Sequence, residues 1–333
     1  MSSSQMRLNL ATGEWVIYAP SRRKRPHDFQ TKKPIENISP KDLETCPFCP
    51  GNENVLQSKI LEFPASGEVQ WQTRVISNKY PALTPQDSTQ RVAHGIYLTT
   101  AGYGRQEVII ESPNHAETLA TLSVEQVEIL IETYHQRYLS FMEDPEIMMV
   151  TIFRNHGSAA GASLRHPHSQ MIATSIVPRN RRWQDEEAQR YFDHWNRCLY
   201  CDMLEFEIQK QERVIGENES FVAFIPFAAE VSCEVWLMPK RHQADFGSIS
   251  HTEKKDFAQI LQGVLANFYH KLDNPDYNYV INSAVRYKTE EPQVHWYCQI
   301  LPRLSTKAGF EIGSRISINP SLPEEDAQFL RGE

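Results

Sequence analysis

The segment from Asn155 to Gln170 contains the residues whose types and spacing point most directly to chemistry. It includes a glycine- and alanine-rich run followed by His166-Pro-His168-Ser-Gln170. The two histidines are two residues apart and would lie on the same face of a regular strand, but the proline between them can bend the chain so that one binds a metal and the other faces a pocket. The glycine- and alanine-rich run would let backbone N–H groups approach phosphate oxygens closely. This combination indicates phosphoryl chemistry.

His168 is the candidate nucleophile of this segment. A neutral imidazole attacks phosphorus near neutral pH without a strong base to activate it, and it departs readily in a second step. The alternative is that His168 is a buried residue with a hydrogen-bonding role only. The cluster as a whole favours the catalytic interpretation, because an active site is recognised by several roles assembled together.

Cysteines and histidines form two sets with the spacing of metal ligands. The first set is Cys46, Cys49, His115 and His166, and the second is Cys198, Cys201, His242 and His295. Two thiolates and two imidazoles suit tetrahedral zinc, and a C-x-x-C pair lets two sulfurs reach one ion from a single turn. One such pair alone could equally be two small core residues. The repetition of the set favours two zinc sites, and Cys233 and Cys298 fall outside both.

The elements that would position these residues occur twice in the same order, and a repeat of this kind constrains the fold. Each half opens with a C-x-x-C pair and continues with a β-rich run that ends at a histidine, over 107–115 and 234–242, with the same Glu-to-His spacing. A capping box follows each run, at 123–126 and 250–253, and marks the start of a helix.

Both helices have an apolar stripe at helical spacing and end at a proline turn. The stripes are Val127, Leu130, Ile131, Tyr134, Tyr138 and Phe141 in the first half, and Phe257, Ile260, Leu261, Val264, Leu265, Phe268 and Leu272 in the second. The pattern predicts two similar α+β units side by side, with sheets continuous across the middle. The predicted division is an N-terminal unit over 1–178, a charged helical connector over 179–197 and a C-terminal unit over 198–333.

Composition and charge narrow the class of protein. A chain of 333 residues has room for two domains of ordinary size or one large α/β unit. A net charge of -8 disfavours a general nucleic-acid binder, which needs a basic surface to displace phosphate counterions. The start of the chain lacks the apolar core of a signal peptide, and no later stretch is long and apolar enough to span a bilayer. We therefore expect a cytoplasmic protein with no membrane partner, whose thiols stay reduced.

The motif His166-Pro-His168-Ser-Gln170 resembles the H-P-H-x-Q active-site motif of galactose-1-phosphate uridylyltransferases. These enzymes are the branch of the histidine-triad (HIT) superfamily that forms a nucleotidyl-histidine. Further similar segments cover nearly the whole chain, at 12–20, 21–26, 46–51, 77–81 and 309–311. The resemblance implies an α+β fold of two tandem HIT-like domains, each an antiparallel sheet with helices. It also implies a homodimer with shared sites.

The resemblance implies roles for individual residues. His168 would be the nucleophile, and Gln170 would hydrogen-bond the transferring phosphoryl group. The first Cys2His2 set would be the family's structural zinc site. Nucleotide and phosphate contacts would come from Arg22, Arg25, Asn78, Asn155 and Ser163, and hexose contacts from Lys307, Gly309, Phe310 and Glu311. Without the resemblance, the basic run over 22–25 would be read as a solvated turn.

The predicted activity is nucleotidyl transfer between a nucleoside diphosphate-hexose and a hexose-1-phosphate, of the UDP-glucose:hexose-1-phosphate uridylyltransferase type found in galactose metabolism. The related ADP-glucose phosphorylases are the first alternative, because Ser169 stands where many uridylyltransferases have glycine and because His295-Trp-Tyr297-Cys-Gln299 resembles the phosphorylases. A simple hydrolase and a non-catalytic zinc-stabilised nucleotide-binding protein are the others. Tyr297 occupies the nucleophile's place in the second half, and since the pKa of tyrosine is about 10, only the first half should be catalytic.

Overall fold

The computed structural model describes residues 4–24, 39–64, 71–85 and 89–333, so Arg25 lies outside the described residues. The strands are β1 (Gln5–Leu8), β2 (Trp15–Tyr18), β3 (Lys59–Pro64), β4 (Trp71–Ser77), β5 (Arg91–His94), β6 (Tyr97–Thr100), β7 (Gly104–Ile110), β8 (Met149–His156), β9 (His168–Thr174), β10 (Val214–Glu217), β11 (Phe221–Phe224), β12 (Val235–Pro239), β13 (Tyr277–Asn282), β14 (Tyr297–Pro302) and β15 (Ser317–Asn319). The helices are α1 (Pro40–Thr45), α2 (Val124–Met142), α3 (Arg179–Trp195), α4 (Leu199–Lys210), α5 (His251–Lys271), α6 (Gly309–Ser314) and α7 (Pro323–Arg331). Within the described ranges, no helix has both the length and the apolar character that crossing a membrane requires.

Ten of the described strands form one antiparallel sheet in the order β10-β11-β12-β14-β13-β8-β9-β7-β4-β3. From the centre outward, the first half contributes β8, β9, β7, β4 and β3, and the second contributes the corresponding β13, β14, β12, β11 and β10. The two halves join where β8 pairs with β13, with Phe153 opposite Val280. The structure therefore confirms the predicted α+β fold with a duplicated antiparallel sheet that is continuous across the middle.

Helices α2 and α5 cover one face of this sheet. Each begins at the predicted capping box, where Ser123 and Gln126 bond reciprocally in α2, and Ser250 and Glu253 do so in α5. The predicted stripe residues of both helices lie in one core shared by the two halves, and Leu272, at the end of α5, is the partly buried exception. Burial of such stripes supplies most of the stability of helices in proteins.

Alternation along the strands divides side chains between the two faces. On β9, Met171 and Ala173 join the helix-side core, so His168 and Gln170 point to the opposite face. That face is covered at one end by the segment that contains Cys46 and Cys49, and at the other by α4. A half-buried strip over β8 and β13 lies between these covers, and it is the surface on which the candidate site is built.

The N-terminal strands pack against the second half of the chain. Strand β2 lies between β1 and β15 and pairs in parallel with β15. The Tyr18 hydroxyl donates to the Ala229 carbonyl at 2.9 Å, and Arg7 forms an ion pair with Glu324 at 2.9 Å. Residues near the start of the chain are thereby placed beside the C-terminal repeat.

Candidate active site

The first Cys2His2 set is assembled beside β7 and β9, and its four ligand atoms all lie within 4.8 Å of one another. Cys49 Sγ is 3.3 Å from His115 Nδ1 and 3.6 Å from His166 Nδ1. A tetrahedral zinc ion with bonds of about 2.0–2.3 Å would hold its ligand atoms about 3.3–3.8 Å apart. All four side chains are buried. The set therefore has the donor chemistry and the spacing to hold one tetrahedral metal ion.

The ring orientation of His166 is fixed from outside the set. Its Nε2 donates to the Ser112 carbonyl oxygen at 2.8 Å, which turns Nδ1 toward the sulfurs. Burial lowers the pKa of His166 to about 4, so the ring is neutral and offers a lone pair to a metal. Such a hydrogen bond to the non-ligating nitrogen is the usual support of a metal-binding histidine.

The second Cys2His2 set has the same construction in the other half. Cys201 Sγ lies 3.3 Å from His242 Nδ1 and 3.4 Å from His295 Nδ1, and His295 Nε2 donates to the Pro239 carbonyl at 3.1 Å. The paired imidazoles cross at 86° in both sets. The sets differ in exposure, because His242 is exposed and Cys201 is half-buried. Both sets can hold a metal ion, and the second is more open to solvent.

His168 begins β9 and is buried. Its Nδ1 lies 2.8 Å from the backbone oxygen of His166. A carbonyl only accepts, so the ring proton is on Nδ1 and the lone pair is on Nε2. Burial is the main cause that lowers the pKa of His168; the bond to His166 opposes the effect and the charge of Arg154 adds to it. The imidazole is therefore neutral and nucleophilic at neutral pH.

Gln170 lies on the same face, two residues beyond His168. Its Oε1 accepts from Gln106 Nε2 at 2.9 Å and from Asn78 Nδ2 at 3.4 Å. The orientation of both donor amides is set by the backbone, because Gln106 Oε1 accepts from the N–H of Ala82 and Asn78 Oδ1 from that of Tyr80. The oxygen of Gln170 is thus used within the protein, and its NH2 group is the part available to a bound phosphate.

Asn155 lies near the end of β8. The pairing of β8 with β9 ends at Phe153 opposite Gln170, and continuing this register by two residues on each strand sets Asn155 level with His168 on the same face. Ser163 is exposed in the loop that precedes His166. Asn155, His168 and Gln170 therefore line one side of the half-buried strip, with Ser163 in the adjoining loop.

The glycine- and alanine-rich run differs from the expectation that its N–H groups would serve a phosphate. The N–H of Ala159 donates to Asp276 Oδ2 at 2.6 Å. Those of Ala160, Gly161 and Ala162 donate to carbonyls of the same turn. These four donors are used to hold the turn, so they are not available to a bound phosphate.

Comparison with known proteins agrees with this geometry. Residues 1–178 match the family described as Galactose-1-phosphate uridyl transferase, N-terminal domain, and residues 184–309 match its C-terminal domain. The chain belongs to the galactose-1-phosphate uridylyltransferase family. It is an enzyme of the nucleotidyltransferase family that includes these transferases and the ADP-glucose phosphorylases.

Two curated relatives and one solved structure illustrate the similarity within the galactose-1-phosphate uridylyltransferase family. The ADP-glucose phosphorylase of Arabidopsis thaliana is 35% identical over 99% of this chain and 93% of its own length. The galactose-1-phosphate uridylyltransferase of Thermotoga maritima is 29% identical over 98% of each chain. The crystal structure of an ADP-glucose phosphorylase from Arabidopsis thaliana with bound ADP-glucose has a TM-score of 0.85 and 32% identity, and the match covers 100% of this chain and 99% of that one.

The predicted hexose-contacting residues lie beside the second half of this family member. Lys307 Nζ is 3.2 Å from Glu230, and Glu311 Oε1 accepts from the N–H of Ile318 at 3.1 Å. Gly309 and Phe310 open α6, and Phe310 is exposed. Arg22 lies in a short turn that follows β2. Among the described contacts, none joins these residues to His168 or Gln170.

The second repeat contains an aromatic stack at the position that corresponds to His168, the candidate nucleophile. Tyr297 is buried and stacks on Trp236, with ring centroids 4.3 Å apart, and its ring centroid is 5.7 Å from that of Tyr200. Burial raises the pKa of Tyr297 well above its usual value. A phenol that is protonated and enclosed in this way is a poor nucleophile, which supports the prediction that only the first repeat is catalytic.

Strand register also revises the alignment of the two repeats. Ile109 lies opposite Ser169 and Leu237 lies opposite Cys298. The equivalent of Glu234 is therefore Gln106, and the equal Glu-to-His spacing in the sequence does not match equivalent glutamates. Glu107 instead faces the helices and pairs with Arg137 at 2.7 Å.

Proposed function

We propose that this enzyme transfers a nucleotidyl group through a covalent intermediate on His168 Nε2. The observation that carries the proposal is the 2.8 Å contact of His168 Nδ1 with the His166 carbonyl, which directs the lone pair of the neutral ring away from the backbone. Nε2 attacks the α-phosphorus of a nucleoside diphosphate-hexose. A nitrogen–phosphorus bond forms, the bond from the α-phosphorus to the bridging oxygen breaks, and hexose-1-phosphate leaves.

The second step reverses the first with a phosphate-bearing acceptor. An acceptor oxygen attacks the α-phosphorus, the nitrogen–phosphorus bond breaks, and the neutral imidazole is restored. Phosphoryl transfer depends mainly on positioning and on stabilisation of negative charge. The side chains of Gln170, Asn155 and Ser163 supply donors on the side of the strip where this charge develops. The Nδ1–H bond to His166 also stabilises the positive ring of the intermediate.

We propose zinc as the metal of both Cys2His2 sets. Two sulfurs and two nitrogens at the observed spacing suit this ion, and four protein ligands leave no open position for catalysis. A bound zinc ion would supply a structural cross-link. In the first set it would restrain His166, whose carbonyl orients the nucleophile.

The donor and acceptor have two candidate pairs. The sequence favoured UDP-glucose with a hexose-1-phosphate acceptor, as in the uridylyltransferases. The 35% identity to an ADP-glucose phosphorylase, against 29% to a uridylyltransferase, favours ADP-glucose with phosphate. We propose ADP-glucose phosphorolysis as the first activity to assay and uridylyl transfer as the second.

Turnover of UDP-glucose and ADP-glucose, each with galactose-1-phosphate and with phosphate, tests this choice. One pair should exceed the others by at least about a hundredfold if the site discriminates through hydrogen bonds to the base or acceptor. Release of free nucleotide without an acceptor would identify a hydrolase instead. Absence of turnover and of any label from an α-labelled nucleotide-sugar would support a binding protein.

We further propose the domain division 1–178, 179–197 and 198–333, and a homodimer with shared sites. The described contacts of Lys307 and Glu311 are with the second half of their own chain and do not reach His168. A second subunit would supply its own Lys307 and Glu311 to the His168 of the first. Sedimentation of the purified enzyme tests the dimer. Mixed dimers of His168→Ala with Lys307→Ala test whether the site is shared, because one restored site per dimer is expected.

A further inference from the structure

An amide of the second repeat contacts the end of β8 in the first. Asn278 lies opposite Asn155 in the strand register. Its Nδ2 is 2.8 Å from Asn155 Oδ1 and 2.9 Å from the Ala160 carbonyl oxygen, and Arg303 Nε is 2.6 Å from Asn278 Oδ1. These bonds form a continuous chain from Arg303 through Asn278 to Asn155, which we call the amide relay.

The chemistry at the ends of the amide relay fixes its direction. A guanidinium only donates, so the oxygen of Asn278 must face Arg303. The carbonyl of Ala160 only accepts, so the NH2 group of Asn278 must face Ala160, and with it Asn155. Asn155 then presents its oxygen to Asn278. The NH2 group of Asn155 is therefore directed away from Asn278. The guanidinium of Arg303 and the carbonyl of Ala160 each lead independently to this orientation.

The orientation of the Asn155 amide matters because Asn155 is level with His168 on the same face of the sheet. An NH2 group can donate to a phosphate oxygen, whereas an amide oxygen in the same place would repel it. We propose that Asn278 and Arg303 are positioning residues, which orient the Asn155 amide so that its NH2 group faces the transferring phosphoryl group. This proposal rests on the proposed function. The second repeat thus contributes to the chemistry of the first through hydrogen-bond direction.

The decisive test is a double-mutant cycle on the formation of the nucleotidyl-enzyme. The variants are Asn155→Ala, Asn278→Asp and the double variant, with α-labelled ADP-glucose and UDP-glucose in single turnover. The carboxylate that Asn278→Asp introduces would accept from Arg303 but could not donate to Asn155. Each single variant should slow labelling by about tenfold to a hundredfold, the range for a lost hydrogen bond to a charged group. The double variant should be no slower than Asn155→Ala, within about twofold.

A purely structural role would give another result. If Asn278→Asp acted by disturbing the turn over 157–161, its effect would multiply with that of Asn155→Ala, and the amide relay would be wrong. Asn282→Asp is the matched control, because Asn282 lies on the same strand and the same face. It should label at the wild-type rate. An equal loss of labelling rate in this variant would contradict the amide relay, because any added charge on β13 would then slow labelling.

Arg303 allows a test that does not depend on the folding of the Asn278 variant, since its side chain is at the surface. Arg303→Lys keeps a donor and should retain most of the labelling rate, whereas Arg303→Met should lose about as much as Asn278→Asp. Equal rates for the Lys and Met variants would overturn the relay while leaving the proposed function intact. An unlabelled wild-type enzyme would overturn the proposed function and the relay with it.

Discussion

His168 Nδ1 lies 2.8 Å from the backbone oxygen of His166, and the side chain of His166 belongs to the first Cys2His2 set. One residue therefore links a candidate metal ion to the orientation of the candidate nucleophile. A change in the position of the His166 ring would move its carbonyl, and with it the direction of the lone pair on His168.

Removal of a ligand from the first Cys2His2 set should therefore reduce activity more than removal of a ligand from the second. The purified enzyme should contain about two zinc ions per chain, and Cys46→Ser should lose one of them. This variant should also lower the thermal midpoint by roughly 5 °C or more and reduce turnover, because His166 is no longer held. Cys201→Ser, its matched control, should lose one zinc ion and stability but keep most turnover per folded chain. Elemental analysis, melting curves and initial rates measure the three quantities.

The exposure of the second set adds a kinetic expectation. His242 is exposed and Cys201 half-buried, whereas the first set is buried throughout. A chelator should therefore extract one equivalent of zinc well before the other, with little loss of activity in the first phase. Simultaneous release of both ions, or a stable and fully active enzyme without zinc, would contradict the assignment.

The pH profile of kcat/KM should reflect the buried state of His168. Burial lowers the pKa of His168 below its usual value of 6.5, so protonation inactivates the nucleophile only at lower pH. The rate should stay level as pH falls from 8 toward about 6.5, and then decline. Zinc content measured at each pH separates protonation of His168 from metal loss, and a decline centred above pH 7 would contradict a buried neutral imidazole.

The sequence predicted the parts of this architecture that depend on local pattern. The capping boxes, the apolar stripes and the order of elements follow from residue spacing, and the structure confirms them. Gln106, Asn278 and Arg303 were missed because their contribution depends on long-range contacts across the sheet. The sequence also could not show that Glu107 and Glu234 are not equivalent, because equal spacing in the sequence does not reveal a one-residue difference in strand register.

The shared core predicts that the two halves unfold together. Phe257 of α5 and Phe141 of α2 are fully buried in the same apolar core. Replacing either by alanine should cost about 3–5 kcal/mol and shift a single denaturant transition. Phe329→Ala is the control, because that side chain is 46% exposed and should cost less than about 1 kcal/mol. Two separate transitions, of which each variant shifts only one, would show that the halves are independent.

The assignment of the nucleophile makes the most direct prediction. Incubation with an α-labelled nucleotide-sugar should give an acid-labile, base-stable adduct on a peptide that contains His168. His168→Ala should abolish the adduct and reduce turnover by at least about a thousandfold, because the proposed mechanism forms the nitrogen–phosphorus bond on this side chain. Tyr297→Phe is the matched control from the second repeat.

That control should keep both the adduct and most of the activity, since Tyr297 is buried in contact with Trp236 and Tyr200 and burial holds the pKa of its phenol well above the usual value. Any loss would come from altered packing and should appear in the melting temperature as well. A label that maps to Tyr297, or that survives in His168→Ala, would place the active centre in the second repeat. The buried aromatic stack would then have to open during turnover, because an enclosed and protonated phenol cannot reach the α-phosphorus.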